Sequence, residues 1–283
     1  MKNIQTNQEK HIDDSSMIAI LNHTISDDTR QQAKSHINEC RECWALWNRL
    51  RWDYAGTSKG VLELKEYLGD SFSQYYDSSW ALAKEWNVHK RTSKIEVESF
   101  YQGTNNYLYN LILFYESGDR KDFKPLFRKI VEGNLASTVI DYGCGVGNDT
   151  LDMISAGLKV ISIDFESPSL DFLRWRLKKR GISSEQCIVV PVEEIAANKE
   201  VCASADMFWG VDVLEHMFDP YEVLKITAQD IKIFAYYVDS DDKAGGRHPF
   251  HFKFAATAFN ERLRLMGLHE DKDLDATISI WSR

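Results

Sequence analysis

The chain has 283 residues, 43% of them hydrophobic and 12% aromatic, which is enough for one large core with smaller units beside it. A net charge of −9 at neutral pH repels a phosphate backbone at long range and excludes nucleic acid as the default partner. The opening MKNIQTNQEKHIDD has no apolar leader-like run, and no later apolar run approaches the ~18 residues of a membrane span. Together with five cysteines, an odd number, this points to a soluble chain in a reducing cytoplasm, with no membrane partner.

Three regions follow in order: 1–50, polar with clustered His and Cys; 51–134, helical in pattern, aromatic and poor in glycine; and 135–283, where strands and helices alternate. In the first, SHINECRECW sets His36, Cys40 and Cys43 at offsets of four and three, on one face of a helix or helix end. One imidazole and two thiolates make a tetrahedral zinc set short of one ligand, and both His11 and His23 lie upstream to complete it. The run from His11 to Trp44 resembles the zinc-binding domain of anti-sigma factors: an initial ligand, a helix, a turn with S-x-x-x-R, then H-x3-C-x2-C. The resemblance implies His11 as the fourth ligand, a closed structural zinc and a protein partner docking on the module. Cys144, Cys187 and Cys202 have no such spacing and read as buried small residues.

From residue 135 the strand candidates are STVIDY, LKVISIDF, CIVVPV, ADMFWGVDVL, IKIFAYYV and ATISIWS, short and rich in β-branched or aromatic residues. SLDFLRWRLKKRG places Leu170, Leu173 and Leu177 at helical spacing, with Gly181 as the residue that ends the helix. The cations of RWRLKKRG, 174–181, read as a solvated helix end. The expected fold is α/β, a mainly parallel, doubly wound sheet with its ligands at the carboxyl ends of the strands.

The first strand runs into VIDYGCGVGNDT, where Gly143, Gly145 and Gly147 strip side chains from a turn that opens a helix. The spacing G-x-G-x-G differs from the pyrophosphate-binding G-x-G-x-x-G, and Asp141 suits an ammonium group better than a phosphate. Asp164, at the tip of the second strand, can accept from both hydroxyls of a ribose. This stretch, with VVPVEEI and ADMFWGVDVLEHMFDPYEVL after it, resembles the ordered motifs of class I S-adenosylmethionine-dependent methyltransferases, whose sheet is Rossmann-like. The resemblance implies Asp141, Gly143, Gly145 and Asp164 as contacts of S-adenosylmethionine, and Gly210, Val211 and Asp212 beside cofactor and acceptor. Pro191 stands where the family often has an acidic residue for the adenine, which leaves Val192 and Glu193 for that end.

Methyl transfer requires in-line positioning and, for a protonated acceptor, a base. The histidines of the late loops are the candidates, His216 in LEHM and His248 and His251 in GRHPFHF, with His251 preferred because its neighbours are apolar. In the ubiquinone-biosynthesis O-methyltransferases a similar Glu-His pair takes part in divalent-metal binding, and the sequence offers no third ligand beside Glu215 and His216. The family's helical cap corresponds to SFYQGTNNYLYNLILFY, with Tyr101, Gln102, Tyr107 and Tyr109 at the pocket rim. HPFHF and AFNERLRLMGL resemble the ubiquinone-biosynthesis type, which implies a small-molecule methyl acceptor. The rival expectation is a regulatory protein that senses the cofactor and docks a partner through the zinc module.

Overall fold

A computed structural model of the chain describes residues 11–22, 24–227, 231–238, 249–275 and 277–283. In chain order the helices are α1 (Asp14–Leu21), α2 (Asp27–Glu39), α3 (Arg41–Ala55), α4 (Lys59–Leu68), α5 (Ser78–Asn87), α6 (Lys94–Gly103), α7 (Asn106–Glu116) and α8 (Lys124–Glu132). The sheet region runs β1 (Thr138–Tyr142), α9 (Asn148–Ala156), β2 (Lys159–Asp164), α10 (Pro168–Lys179), β3 (Cys187–Pro191), α11 (Lys199–Ala203), β4 (Met207–Val211) and β5 (Ile233–Tyr237). It closes with α12 (Ala256–Leu265), β6 (His269–Glu270) and β7 (Ser279–Ser282). None of these helices is long and apolar enough to cross a membrane.

The chain forms two compact units. Among the described residues, one gathers those up to Asn87 with Asn106–Lys121 and Pro249; the other takes Val88–Asn105, those from Asp122 to Val238 and Phe250–Arg283. The boundary expected after residue 50 therefore falls inside α3, and part of the expected helical cap belongs with the sheet. In the first unit Ile12, Met17, Ile20, Ile37, Trp44 and Trp47 form a small core. Beyond it, the buried carboxylate of Asp119 meets Arg51 at 2.7 Å and Lys34 at 3.0 Å, joining α2, α3 and the segment after α7. Burial raises its pKa, but those cations reverse the effect and hold it below the usual range.

The second unit is a seven-stranded sheet in the order β3-β2-β1-β4-β5-β7-β6, with β1 to β5 parallel and β7 antiparallel to β5. All six predicted strands form; the two-residue β6 is an addition with too short a signal to read. Apolar residues cover both faces, as a buried parallel sheet requires: Val139, Val160 and Trp209 on one, Ile140, Ile161 and Phe208 on the other. The Trp209 indole donates to Asp149 at 2.7 Å, so the buried ring keeps its polar atom satisfied.

Helix α10 begins at Ser167, whose hydroxyl accepts from the Leu170 amide, and has Pro168 in its first turn. Leu170, Leu173 and Leu177 are buried on the expected face, and Gly181 follows the cap at φ 66°. The strand order reverses between β1 and β4. That switch point leaves a crevice at the carboxyl ends of the central strands, where ligands of such sheets bind.

Candidate functional site

The turn after β1 lies in this crevice. Gly143, Gly145 and Gly147 have φ of 70°, 53° and 76°, a region in which a side chain is strained. A Cβ on Gly143 would stand 2.3 Å from Val213 Cγ2, and one on Gly147 would stand 2.2 Å from Leu173 Cδ1. Glycine is thus fixed by conformation and by space.

Asp164 closes the turn from the tip of β2. Its Oδ2 accepts from the Gly145 amide at 2.6 Å and its Oδ1 from the Phe165 amide at 2.7 Å. Burial pushes its carboxyl up to about 6, against the pull of those two amides. Asp141, expected to meet an ammonium group, is 3% exposed, with one oxygen accepting from the Thr150 hydroxyl at 2.5 Å. Thr150 is in turn 2.9 Å from Ser162 Oγ, so the carboxylate is tied between β1, α9 and β2.

The remaining expected contacts line the same edge. Val192 opens a short 3-10 turn directly after β3, and Gly210 and Val211 end β4. Asp212 follows at φ 57° with its amide bonded to Tyr237 O, a strained backbone of the kind found at functional sites. Glu193 is exposed and accepts from Gln102 of α6 at 2.7 Å.

A second cluster forms where β4 ends. Glu215, His216 and His251 each present one donor atom, and the three atoms lie within 4.8 Å of one another. The Phe252 amide donates to Glu215 O at 2.6 Å, which draws the late loop against the LEHM turn and sets the His216 and His251 rings 4.5 Å apart. The third group of the cluster is therefore His251, marked as a candidate base by its apolar neighbours but thirty-five residues beyond His216, with no spacing to join it to Glu215 and His216. His248 lies outside the described residues.

Tyr101 of α6 holds its hydroxyl 3.1 Å from His216 Nδ1 and stacks on Phe165. The two rim residues Tyr101 and Gln102 thus belong to this unit, whereas Tyr107 and Tyr109 are on α7 in the other. Tyr109 is core there: its ring packs 4.8 Å from Tyr76, and its hydroxyl donates to Ser71 O and accepts from the Ser73 amide.

The first unit carries its own cluster. Cys40 Sγ is 3.3 Å and Cys43 Sγ 3.6 Å from His11 Nδ1, and Cys43 Sγ is 3.4 Å from His36 Nε2. Tetrahedral zinc, with bonds of about 2.0–2.3 Å, spaces its ligands roughly 3.3–3.8 Å apart; these three separations fall in that range, and all four ligand atoms lie within 4.8 Å of one another. The Cys43 amide lowers the pKa of Cys40, while burial raises that of Cys43. His11 Nε2 also meets Glu42 at 2.6 Å, as metal-binding imidazoles often meet a carboxylate. His23, the other candidate, lies outside the described residues.

Known proteins match the sheet region of the chain. A family model described as a methyltransferase domain matches residues 140–232. The chain is similar to the ubiquinone biosynthesis O-methyltransferase of Idiomarina loihiensis, 29% identical over 122 residues covering 39% of this chain and 49% of that one. It is also similar to the enzyme of that name from Nitrosomonas europaea, 27% identical over 161 residues covering 53% and 66%. The chain therefore spans 49% and 66% of the length of these relatives. A solved O-methyltransferase family protein from Burkholderia thailandensis superposes with a TM-score of 0.45 at 16% identity, over 82% of this chain and 72% of that one.

Proposed function

We propose, from the premise that residues 140–232 form a methyltransferase domain, that the protein transfers the methyl group of S-adenosylmethionine to an oxygen, nitrogen or sulfur nucleophile of a small molecule. The observation that carries this reading is the closure of the bare glycine turn by Asp164. Each of its oxygens takes one backbone amide and keeps further acceptor capacity for the two hydroxyls of a ribose. A Cβ at Gly143 or Gly147 would meet Val213 or Leu173, which keeps the turn packed close to its neighbours, and the acceptors of Asp164 beside it fit the ribose of the cofactor.

Gly143 and Gly145 would underlie S-adenosylmethionine, Asp164 would hold its ribose, and Val192 and Glu193 would border its adenine. Gly210, Val211 and Asp212 would lie beside both the cofactor and the acceptor, and Asp141 would place negative charge beneath the cationic end. When bound, the cofactor supplies a methyl group activated on a sulfonium. The protein's own work is then orientation and proton removal. Glu215, His216 and His251 lie together where β4 ends, and we assign them the acceptor's proton, with His251 as base. The O-methyltransferase names of the relatives make a hydroxyl the first acceptor to test.

The same three side chains also have the donor chemistry of a divalent-cation site. Activity lost to a chelator and restored by a divalent cation would move the cluster to that role. In the first unit we assign zinc to His11, His36, Cys40 and Cys43, a closed set that stabilises rather than catalyses; the small core beside it supports the need for a metal. A module of this kind offers a surface for a protein partner.

Titration calorimetry with S-adenosylhomocysteine tests the cofactor reading, with one site per chain expected. Absence of binding by folded protein overturns it. Binding with no methyl transfer to any acceptor would favour the cofactor-sensing alternative.

A further inference from the structure

Arg176 lies in the basic run expected to be a solvated helix end, yet it is 2% exposed. Its position explains this: it falls three residues after Leu173 and one before Leu177, on the buried face of α10, while Lys178 and Lys179 beyond it are exposed. Its guanidinium carbon lies 5.5 Å from the Phe172 ring centroid. Nη1 donates to Val146 O at 2.6 Å and to Asn148 Oδ1 at 2.9 Å. Val146 is the residue between Gly145 and Gly147, so a buried cation grips a carbonyl in the second half of the glycine turn. Burying a guanidinium is costly, and an apolar residue would fill the space against Phe172 without that cost.

The turn needs such a grip. Three glycines at positive φ leave its peptide planes free to rotate, and glycine loses more conformational freedom on ordering than any other residue. Toward β2, the amides of Gly143 and Cys144 donate to Ile163 O at 2.8 and 3.2 Å, and that of Gly145 donates to Asp164. These bonds fix the amides of the first half. The Val146 carbonyl belongs to the second half, and its peptide plane also carries the Gly147 amide that begins α9. The Gly147 amide of that plane donates to Cys144 O at 2.8 Å, and the Arg176 bond to the carbonyl on its other edge holds the plane from α10 as well, and with it the path from Gly145 to the helix.

We propose that Arg176 is a positioning residue for ligand binding: by holding the Val146 carbonyl it keeps the glycine turn in its binding shape, with the Gly145 amide on Asp164. The proposal rests on the cofactor reading above for the identity of the ligand, but not for the geometry of the turn.

The test compares wild type with Arg176→Lys and Arg176→Met in the full chain. Lysine retains the charge but is a point donor in place of a planar fork, so it restores part of the grip, and methionine restores none. Two quantities are read: hydrogen exchange at the Gly145 amide relative to sheet amides such as that of Ile161, and affinity for S-adenosylhomocysteine. The expected result is faster exchange at Gly145 in Arg176→Met with Ile161 unchanged, and affinity lower by roughly 10-fold or more, the size of one charge-assisted hydrogen bond. Arg176→Lys should fall between. If Arg176→Met does not fold, Arg176→Lys carries the test, with exchange at Gly145 raised and affinity reduced several-fold.

A folded variant with unchanged exchange at Gly145 overturns the proposal, as does exchange raised equally at Gly145 and Ile161, which marks global destabilisation. Faster exchange at Gly145 with undiminished affinity overturns it too. If wild type does not bind S-adenosylhomocysteine, the cofactor reading fails by itself, and exchange at Gly145 still decides the role of Arg176 in the turn.

Discussion

Asp164 carries most of the cofactor reading, and its environment gives two predictions. Asp164→Ala removes a charged acceptor and should weaken S-adenosylhomocysteine binding by about 1.5–3 kcal/mol, read by calorimetry in a variant that remains folded. Because burial pushes the carboxyl up to about 6, the folded protein holds this proton more tightly than the unfolded chain, in which the group titrates near 3.8. Ionising Asp164 therefore costs stability as pH rises through that window. Ribose hydroxyls that donate to the carboxylate favour its ionised form, so binding near pH 6 should release protons. Calorimetry in buffers of different ionisation enthalpy should show this release near pH 6, little at pH 8, and none in Asp164→Asn. His251 gives the third prediction: His251→Gln should slow methyl transfer by roughly 100-fold with cofactor affinity retained, and a near wild-type rate would end its role as base.

At the scale of elements, the turn and its helices explain what could be read in advance. Short apolar runs rich in β-branched and aromatic residues disclosed the strands, and the glycine spacing with Asp164 disclosed the crevice, because both are local patterns. Arg176 was not legible: one cation among several in 174–181 looks solvated until the leucine face of α10 is known to turn it inward. The enclosure of Asp141 by Thr150 depends on β1 pairing with β2 under α9, and the meeting of His251 with His216 depends on a loop contact at long range. Gly143→Ala tests the turn directly. Its Cβ would be forced onto Val213 at positive φ, so the variant should lose about 1–3 kcal/mol of stability in denaturant unfolding and most of its cofactor affinity. Full affinity in this variant would show that the turn is not the binding surface.

For the whole molecule, the division into two units separates the two chemistries. The His and Cys spacing predicted the amino-terminal cluster, but its extent was not legible, since the Asp119 ion pairs that bind α2 and α3 to the segment after α7 come from residues far apart in sequence. A zinc content of one per chain is expected. Cys40→Ser should lose the metal and lower the unfolding temperature of the first unit, while S-adenosylhomocysteine still binds the second. Metal-free protein of unchanged stability would contradict the assignment.

Methyl transfer to a small molecule is measured by supplying methyl-labelled S-adenosylmethionine to the protein with an extract of its source cells. Label is expected in the small-molecule fraction, dependent on the protein and lost with Asp164→Ala. Label that enters only macromolecules, or no transfer from a preparation that binds the cofactor, would contradict it.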